Sequence, residues 1–193
     1  MLSATKKLNK AIRWAKACVL VVLFSAMRLI NYQILKFYIC GDDMMIEEFW
    51  QAFLESTGKD SVTRYADCFH FDLTEKAANG CLTLVLSGKK RATAASLLYF
   101  ERTGESVPKV GDYSIITDWD GVPHCVYETT AVTIIPYKEM TYDIAKREGE
   151  DDTLEEWQFT HERFFREQGE ILGYEFSEDM LVVFEDFEVV YTK

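Results

Sequence analysis

Seven consecutive residues, Ser87-Gly88-Lys89-Lys90-Arg91-Ala92-Thr93, concentrate the groups in this chain best suited to chemistry. Three cations stand together in a protein whose formal net charge is −11, and a hydroxyl follows them. A helix C-terminus favours cations through its dipole, so one Lys there would be ordinary. Three, then a small residue, then Thr, suit a site for an anionic or carbonyl-bearing ligand. A Thr hydroxyl is a poor nucleophile until a base takes its proton. Lys90 can be that base only if burial or a neighbouring cation lowers its pKa toward neutrality. Lys89 and Arg91 flank it for that purpose, although a nearby Glu would oppose the fall. Lys90 and Thr93 are three residues apart, which puts both on one face if the segment is helical. Backbone N–H groups at a helix start after Thr93 would then serve an oxyanion. The ordinary reading is solvated cations at a helix end, with Thr93 as the cap of the next helix.

A second group of polar residues is Glu148-Gly149-Glu150-Asp151-Asp152, which by itself reads as a solvated acidic loop. Tyr113 and Trp119 are candidates for stacking a base, against the commoner reading of strand aromatics as core. His161 reads as a surface or packing residue. The histidines and cysteines are scattered without metal-ligand spacing, and no cofactor motif of the G-x-G-x-x-G or Walker type occurs, so neither metal nor cofactor is expected. The five cysteines are odd in number and widely spaced, which argues against a disulfide framework and for a reducing compartment.

Periodicity supplies the elements that must hold these groups. Helices are predicted over 46–57, 74–87, 93–101, 141–147 and 153–168, and strands over 113–117, 126–134 and 181–190. Residues 59–72 read as irregular. Gly88 fits the position just past a helix end, and Thr153 with Glu156 has the pattern of a capping box. The order lacks βαβ alternation, so the fold class is α+β, a small curled sheet flanked by helices.

Charge divides the chain at about residue 43. Residues 1–43 carry seven Lys/Arg and two Asp, net +5, while residues 44–193 carry 14 Lys/Arg and 30 Asp/Glu, net −16. The basic extension contains an apolar run over 17–27 without a small-x-small cleavage site after it. Arg28, Asn31, Gln33 and Lys36 interrupt any window of about 20 apolar residues. Gly41-Asp42-Asp43 before Met44-Met45 is encodable by a ribosome-binding site. Residues 1–43 are therefore read as an over-extended start, with a membrane-associated segment as the competing reading.

Four places resemble the ASCH-domain family of the PUA-like superfamily. They are Val85-Leu86-Ser87-Gly88-Lys89-Lys90-Arg91-Ala92-Thr93-Ala94, Val110-Gly111-Asp112-Tyr113, Thr129-Thr130-Ala131-Val132, and the stretch from Glu148 to Trp157 followed by His161-Glu162-Arg163-Phe164-Phe165. The resemblance spans about residues 46–191, and it implies a small PUA-like β-barrel with peripheral helices around a cleft. ASCH domains are generally supposed to bind RNA or nucleotides. One branch resembles this chain at G-x-K-x-x-T and hydrolyses the acetyl amide of N4-acetylcytidine, and other relatives are described as ribonucleases. Carried over by position, the catalytic Lys is Lys90, the Thr is Thr93, and the Glu is Glu148 or Glu150. The branch has an Arg two residues after its Thr, where this chain has Ala95.

The expectation is thus a cytoplasmic, bacterial ASCH domain over 44–193. Its cleft would bind a nucleoside, nucleotide or RNA end through Lys90, Thr93 and a glutamate, with Lys89, Arg91, Tyr113 and Trp119 as further ligand contacts. It is read as an amidohydrolase on an acylated pyrimidine nucleoside. The alternatives are a non-catalytic RNA-binding module and, more remotely, a ribonuclease. DNA is not an expected partner, and a membrane is one only if residues 1–43 are native. A domain at −16 repels polyanions, because nucleic-acid affinity rests largely on Lys/Arg contacts to phosphates.

Overall fold

Alternating and β-branched segments in the second half of the chain pair into a five-stranded sheet, and the amphipathic helical segments cover it. The computed structural model describes residues 43–193; the expectations for the N-terminal extension fall outside them. In chain order the elements are α1 (Asp43–Thr57), β1 (Asp67–Phe69), α2 (Glu75–Leu86), β2 (Ala92–Ser96), α3 (Leu97–Thr103), β3 (Tyr113–Thr117) and β4 (Pro123–Pro136). After a 3-10 turn at Tyr137–Glu139 come α4 (Tyr142–Ala145), α5 (Leu154–Leu172) and β5 (Leu181–Thr192). The sheet order is β1-β3-β4-β5-β2. β1 runs parallel to β3 and the other pairs are antiparallel. With β1 and β2 at opposite edges, the mixed sheet curls as an open half-barrel with flanking helices, an α+β fold.

Successive residues of a strand face opposite sides, and the core is divided accordingly. Ile115 and Val126 pack with Ile46, Phe49, Trp50 and Phe53 of α1. Their neighbours Ile116, Cys125 and Tyr127 pack with Cys81, Leu82 and Val85 of α2. Val182 and Phe184 of β5 meet Trp157 and Phe165 of α5. These three helices are thus fixed by burying one apolar stripe each, worth about 1.5–3 kcal/mol for each large side chain fully removed from water.

Two local assignments differ from the periodicity reading. Cys68 and its neighbours form a strand, β1, in a stretch read as irregular; three residues are too few to show a period, and their pairing with Ser114–Ile116 supplies the order. Residues 92–96, read as helix, are strand β2, because Ala92 to Ser96 pair with Asp186 to Val182 of β5. Tertiary pairing here overrides the helix propensity of alanine. The helix starts later, with Ser96, not Thr93, as its cap, accepting from the Leu98 N–H at 3.1 Å. Cys68 is disulfide-bonded, against the expectation of reduced thiols, while among the described residues Cys81 and Cys125 are free and buried.

A register shift between Thr129 and Ala131 marks a bulge in β4. Beside it, Glu185 of β5 is buried and accepts from Thr129 Oγ1 at 2.6 Å and Tyr127 OH at 3.2 Å. Burial pushes its carboxyl up to about 7, against the lowering effect of those two hydrogen bonds. A carboxyl that holds its proton more tightly when folded loses stability as pH rises from its unfolded value to its folded one. Glu185→Gln should therefore gain on the parent by about 2–3 kcal/mol between pH 5 and pH 8, read as the change in the difference of their urea unfolding free energies. A pH-independent difference would contradict the assignment.

Candidate active site

The turn after α2 decides where Lys90 goes. Gly88 adopts φ +73°, a left-handed conformation that glycine enters without a Cβ clash. The Gly88 N–H reaches the Val85 carbonyl at 2.9 Å and the Lys89 N–H the Leu84 carbonyl at 2.9 Å, the paired bonds of a Schellman ending. The Lys90 N–H also reaches the Leu84 carbonyl, at 3.0 Å. The chain reverses tightly, leaving Lys89 and Arg91 exposed and Lys90 only 1% exposed.

The acidic loop after α4 is brought to this turn by its backbone. The Arg91 N–H donates to the Arg147 carbonyl at 2.9 Å, and Arg147 Nη1 pairs with Asp186 of β5 at 2.7 Å. Gly149, at φ +69°, lies so close to the turn that a Cβ there would stand 2.3 Å from the Lys89 carbonyl oxygen. Only glycine permits this approach, and it places Glu148 and Glu150 on either side of the Lys90 ammonium.

Lys90 Nζ donates to Glu148 Oε2 at 3.1 Å and to Glu150 Oε1 in a shorter contact, and lies 5.1 Å from the centre of the Phe71 ring. Burial alone would lower its pKa, but the two carboxylates outweigh burial and hold it above the ordinary value. The depressed pKa that a lysine base requires is not built here; the glutamates, not the flanking cations, set its charge. Glu148 is also fully enclosed. Its burial would raise its pKa, but Lys90, His161 and the Trp157 N–H together hold it well below the usual range. Its Oε1 accepts from Trp157 Nε1 at 2.9 Å and faces His161 Nε2 at 3.4 Å. Cys81 Sγ donates to Glu150 Oε2 at 3.4 Å, and burial followed by the Glu150 charge pushes its thiol up to about 12.

Most of these groups line a small solvent-open hollow of about 60 Å³. Lys90, Thr93, Glu148 and Glu150 all border it, with Phe71 and Phe164 as aromatic walls and Asp72, Thr160 and His161 as further polar groups. Thr93 reaches it from β2, where it pairs with Glu185, so Lys90 and Thr93 do not share a helical face. Nor does a helix begin after Thr93 to offer its N–H groups, since α3 starts at Leu97. Among the described residues no hydrogen bond joins Thr93 Oγ1 to Lys90 Nζ.

The other candidates lie elsewhere. Arg91 turns back to the Gly88 carbonyl at 3.0 Å and borders a separate hollow with Leu86 and Val189. Tyr113 packs on Trp50 and Phe53 and donates to Glu128 at 3.2 Å. Trp119 lies against His70 at 4.7 Å. Neither aromatic lines the hollow. His161 is the site residue that the sequence reading passed over: it is buried, 6% exposed. Its spacing from Trp157 and Phe165 at i−4 and i+4 was the available signal, since those three form one stripe of α5.

With this geometry in view, the ASCH-domain family profile matches residues 67–191, and the chain belongs to that family. The crystal structure of an ASCH domain from Lactobacillus crispatus is 37% identical, with a TM-score of 0.69, covering 80% of this chain and 99% of that one. A protein from Enterococcus faecalis, described under the family model DUF984, is 36% identical with a TM-score of 0.71, covering 76% and 88%. Comparison with curated proteins gives no match. Among the described residues no helix is long and apolar enough to cross a membrane, and no group of three or more His, Cys, Asp or Glu is placed to hold a metal ion.

Removing one partner of a buried ion pair costs about 3–5 kcal/mol. Lys90→Met should lose that much in urea unfolding at pH 7, and adding Glu148→Gln should recover more than half of it. Gly149→Ala must relieve both a left-handed backbone and a clash with Lys89, and should cost about 2 kcal/mol or more, read as a fall in Tm.

Proposed function

We propose that the cleft binds an uncharged pyrimidine nucleoside and hydrolyses an N4-acyl amide on its base. The observation that carries this reading is that Lys90 and Thr93 line the same hollow. An ammonium has three N–H donors. Two are engaged by Glu148 and Glu150, leaving a third for the carbonyl oxygen of a ligand. Lys90 then acts as the electrophile that stabilises developing negative charge, a role suited to a permanently protonated lysine. Thr93 attacks the acyl carbon, and Glu150, the less buried of the two glutamates, takes the hydroxyl proton and passes it to the departing amine. Water then releases the acyl group from Thr93 as a carboxylic acid.

The aromatic walls and the charge of the hollow support an uncharged, ring-bearing ligand. Phe71 and Phe164 offer apolar faces to a flat ring. Asp72, Glu148 and Glu150 outnumber the cationic groups Lys90 and His161, which disfavours a phosphate, as does the −16 balance of residues 44–193. Ala95 stands where the amidohydrolase branch has Arg, so the acyl group accepted here is open to sizes other than acetyl.

The test is incubation of the full chain with N4-acetylcytidine and with longer N4-acyl cytidines, with chromatography of released cytidine. Turnover is expected, abolished in Thr93→Val and reduced about 10²–10⁴-fold in Glu150→Gln. Release unaffected by Thr93→Val would remove the nucleophile assignment. No release from any acyl cytidine, with retained binding of an RNA oligonucleotide, would leave the non-catalytic RNA-binding module as the better reading.

A further inference from the structure

His161 has both ring nitrogens against acceptors. Nδ1 lies 3.0 Å from the Trp157 carbonyl oxygen, one turn earlier on α5, and Nε2 lies 3.4 Å from Glu148 Oε1. A neutral imidazole has one N–H, so it would turn a lone pair toward one of those oxygens. The ring is 6% exposed, which leaves little room for water to intervene. An imidazolium donates in both directions. The ring also stacks on Trp157, with centroids 4.0 Å apart and planes at 17°, and an indole face attracts a cation.

We propose that His161 is a positioning residue whose imidazolium pins Glu148, so that a single buried carboxylate is shared between two cations. Glu148 has three donors around it: Lys90 Nζ on Oε2, and Trp157 Nε1 and His161 on Oε1. Held on both oxygens, it cannot rotate toward the hollow, and it does not neutralise Lys90 alone. Lys90 is then held by Glu148 and Glu150 with its third N–H left for a ligand. Two cations and two carboxylates balance at the centre of the site.

The charged groups acting on the ring come from every neighbouring segment. Glu148, Glu150 and Asp151 belong to the acidic loop, Lys90 to the turn before β2, and Trp157 and Phe165 of α5 add only uncharged rings. Burial lowers the pKa of His161, and Lys90 does so further; Glu148, its hydrogen bond and Glu150 outweigh them and raise it. The consequence for turnover rests on the amidohydrolase reading, but the charge state does not.

Two measurements test this on the full chain. The first follows imidazole nitrogen shifts in protein labelled with ¹⁵N-histidine. The chain has three histidines, so His70→Gln and His124→Gln assign the third. His161 should titrate above the ordinary value of about 6.5, and Glu148→Gln should lower it by about one pH unit or more. A ring that is neutral at pH 6, or that does not respond to Glu148→Gln, overturns the proposal. The second needs only His161→Gln. A residue whose folded pKa is raised stabilises fully below its unfolded pKa and loses that contribution as pH rises through the folded one. The Tm deficit of His161→Gln should accordingly be largest below about pH 6.5 and shrink at higher pH. A deficit constant with pH marks a packing role and refutes the positioning role. If acyl cytidines are turned over, His161→Gln should reduce kcat with KM little changed. A charged His161 in a protein without turnover would sink the enzymatic reading alone; turnover with a neutral His161 would sink only this one.

Discussion

A lysine ammonium cannot be buried alone. Removing it from water costs several kcal/mol, which only close carboxylates and good hydrogen bonds offset. That requirement organises this end of the molecule. Both carboxylates come from one short loop, so the loop must lie against the turn that carries Lys90, within the reach of a glutamate side chain. Contact that close between two backbones demands a residue without a Cβ, which is Gly149. The turn must also reverse within a few residues to aim Lys90 inward, which is the work of Gly88. Arg147 then ties the loop to β5 through Asp186, and Phe187 ties β5 to the turn through the Arg91 carbonyl. Sheet, loop and turn are coupled through one charge.

Such an arrangement is a poor way to gain stability. Replacing a buried ion pair by apolar side chains of similar volume is often neutral or favourable, and separate apolar clusters already lie beneath α1, α2 and α5. The same holds for Glu185, whose enclosed carboxyl works against the folded state near neutral pH. The two differ in what surrounds them. Glu185 is enclosed by its own sheet partners, whereas Lys90, Glu148 and Glu150 border open space beside a hydroxyl. A desolvated charge next to a hollow is where a fixed dipole acts most strongly on a ligand, and that placement is the reason to look for chemistry at Lys90 and not at Glu185.

The sequence disclosed these residues unevenly, for physical reasons. Periodicity revealed α1, α2 and α5, each of which buries one stripe, and apolar β-branched runs revealed β3, β4 and β5, which are buried on both faces over much of their length. β1 and β2 were hidden because their order comes from partners distant in the chain: three residues in one case, and an alanine-rich segment in the other. Lys90 stood out in its basic cluster, whereas Glu148 and Glu150 read by themselves as a solvated loop and were singled out only through the family resemblance. Which of the two glutamates meets Lys90 was undecidable from spacing, and the answer is both, because Gly149 lets the loop straddle the ammonium. Tyr113 and Trp119 looked available for stacking because aromatic residues carry no mark of which side of a strand or turn they face. Tyr113 falls on the α1 side and is spent on packing.

His161 shows a different limit. Its position on the buried stripe of α5 was readable, but a histidine on an apolar stripe is ordinarily a packing residue. What changes its meaning is a contact with Glu148, thirteen residues earlier and in another element, which no local pattern encodes. The same contact changes the meaning of Lys90. Paired with two carboxylates, one of them shared with an imidazolium, the lysine sits in a balanced cluster with one N–H left to direct at a ligand. The electrostatic character of the hollow is therefore a property of four groups together, and an account of Lys90 as an isolated base or an isolated anchor describes neither its charge nor its orientation.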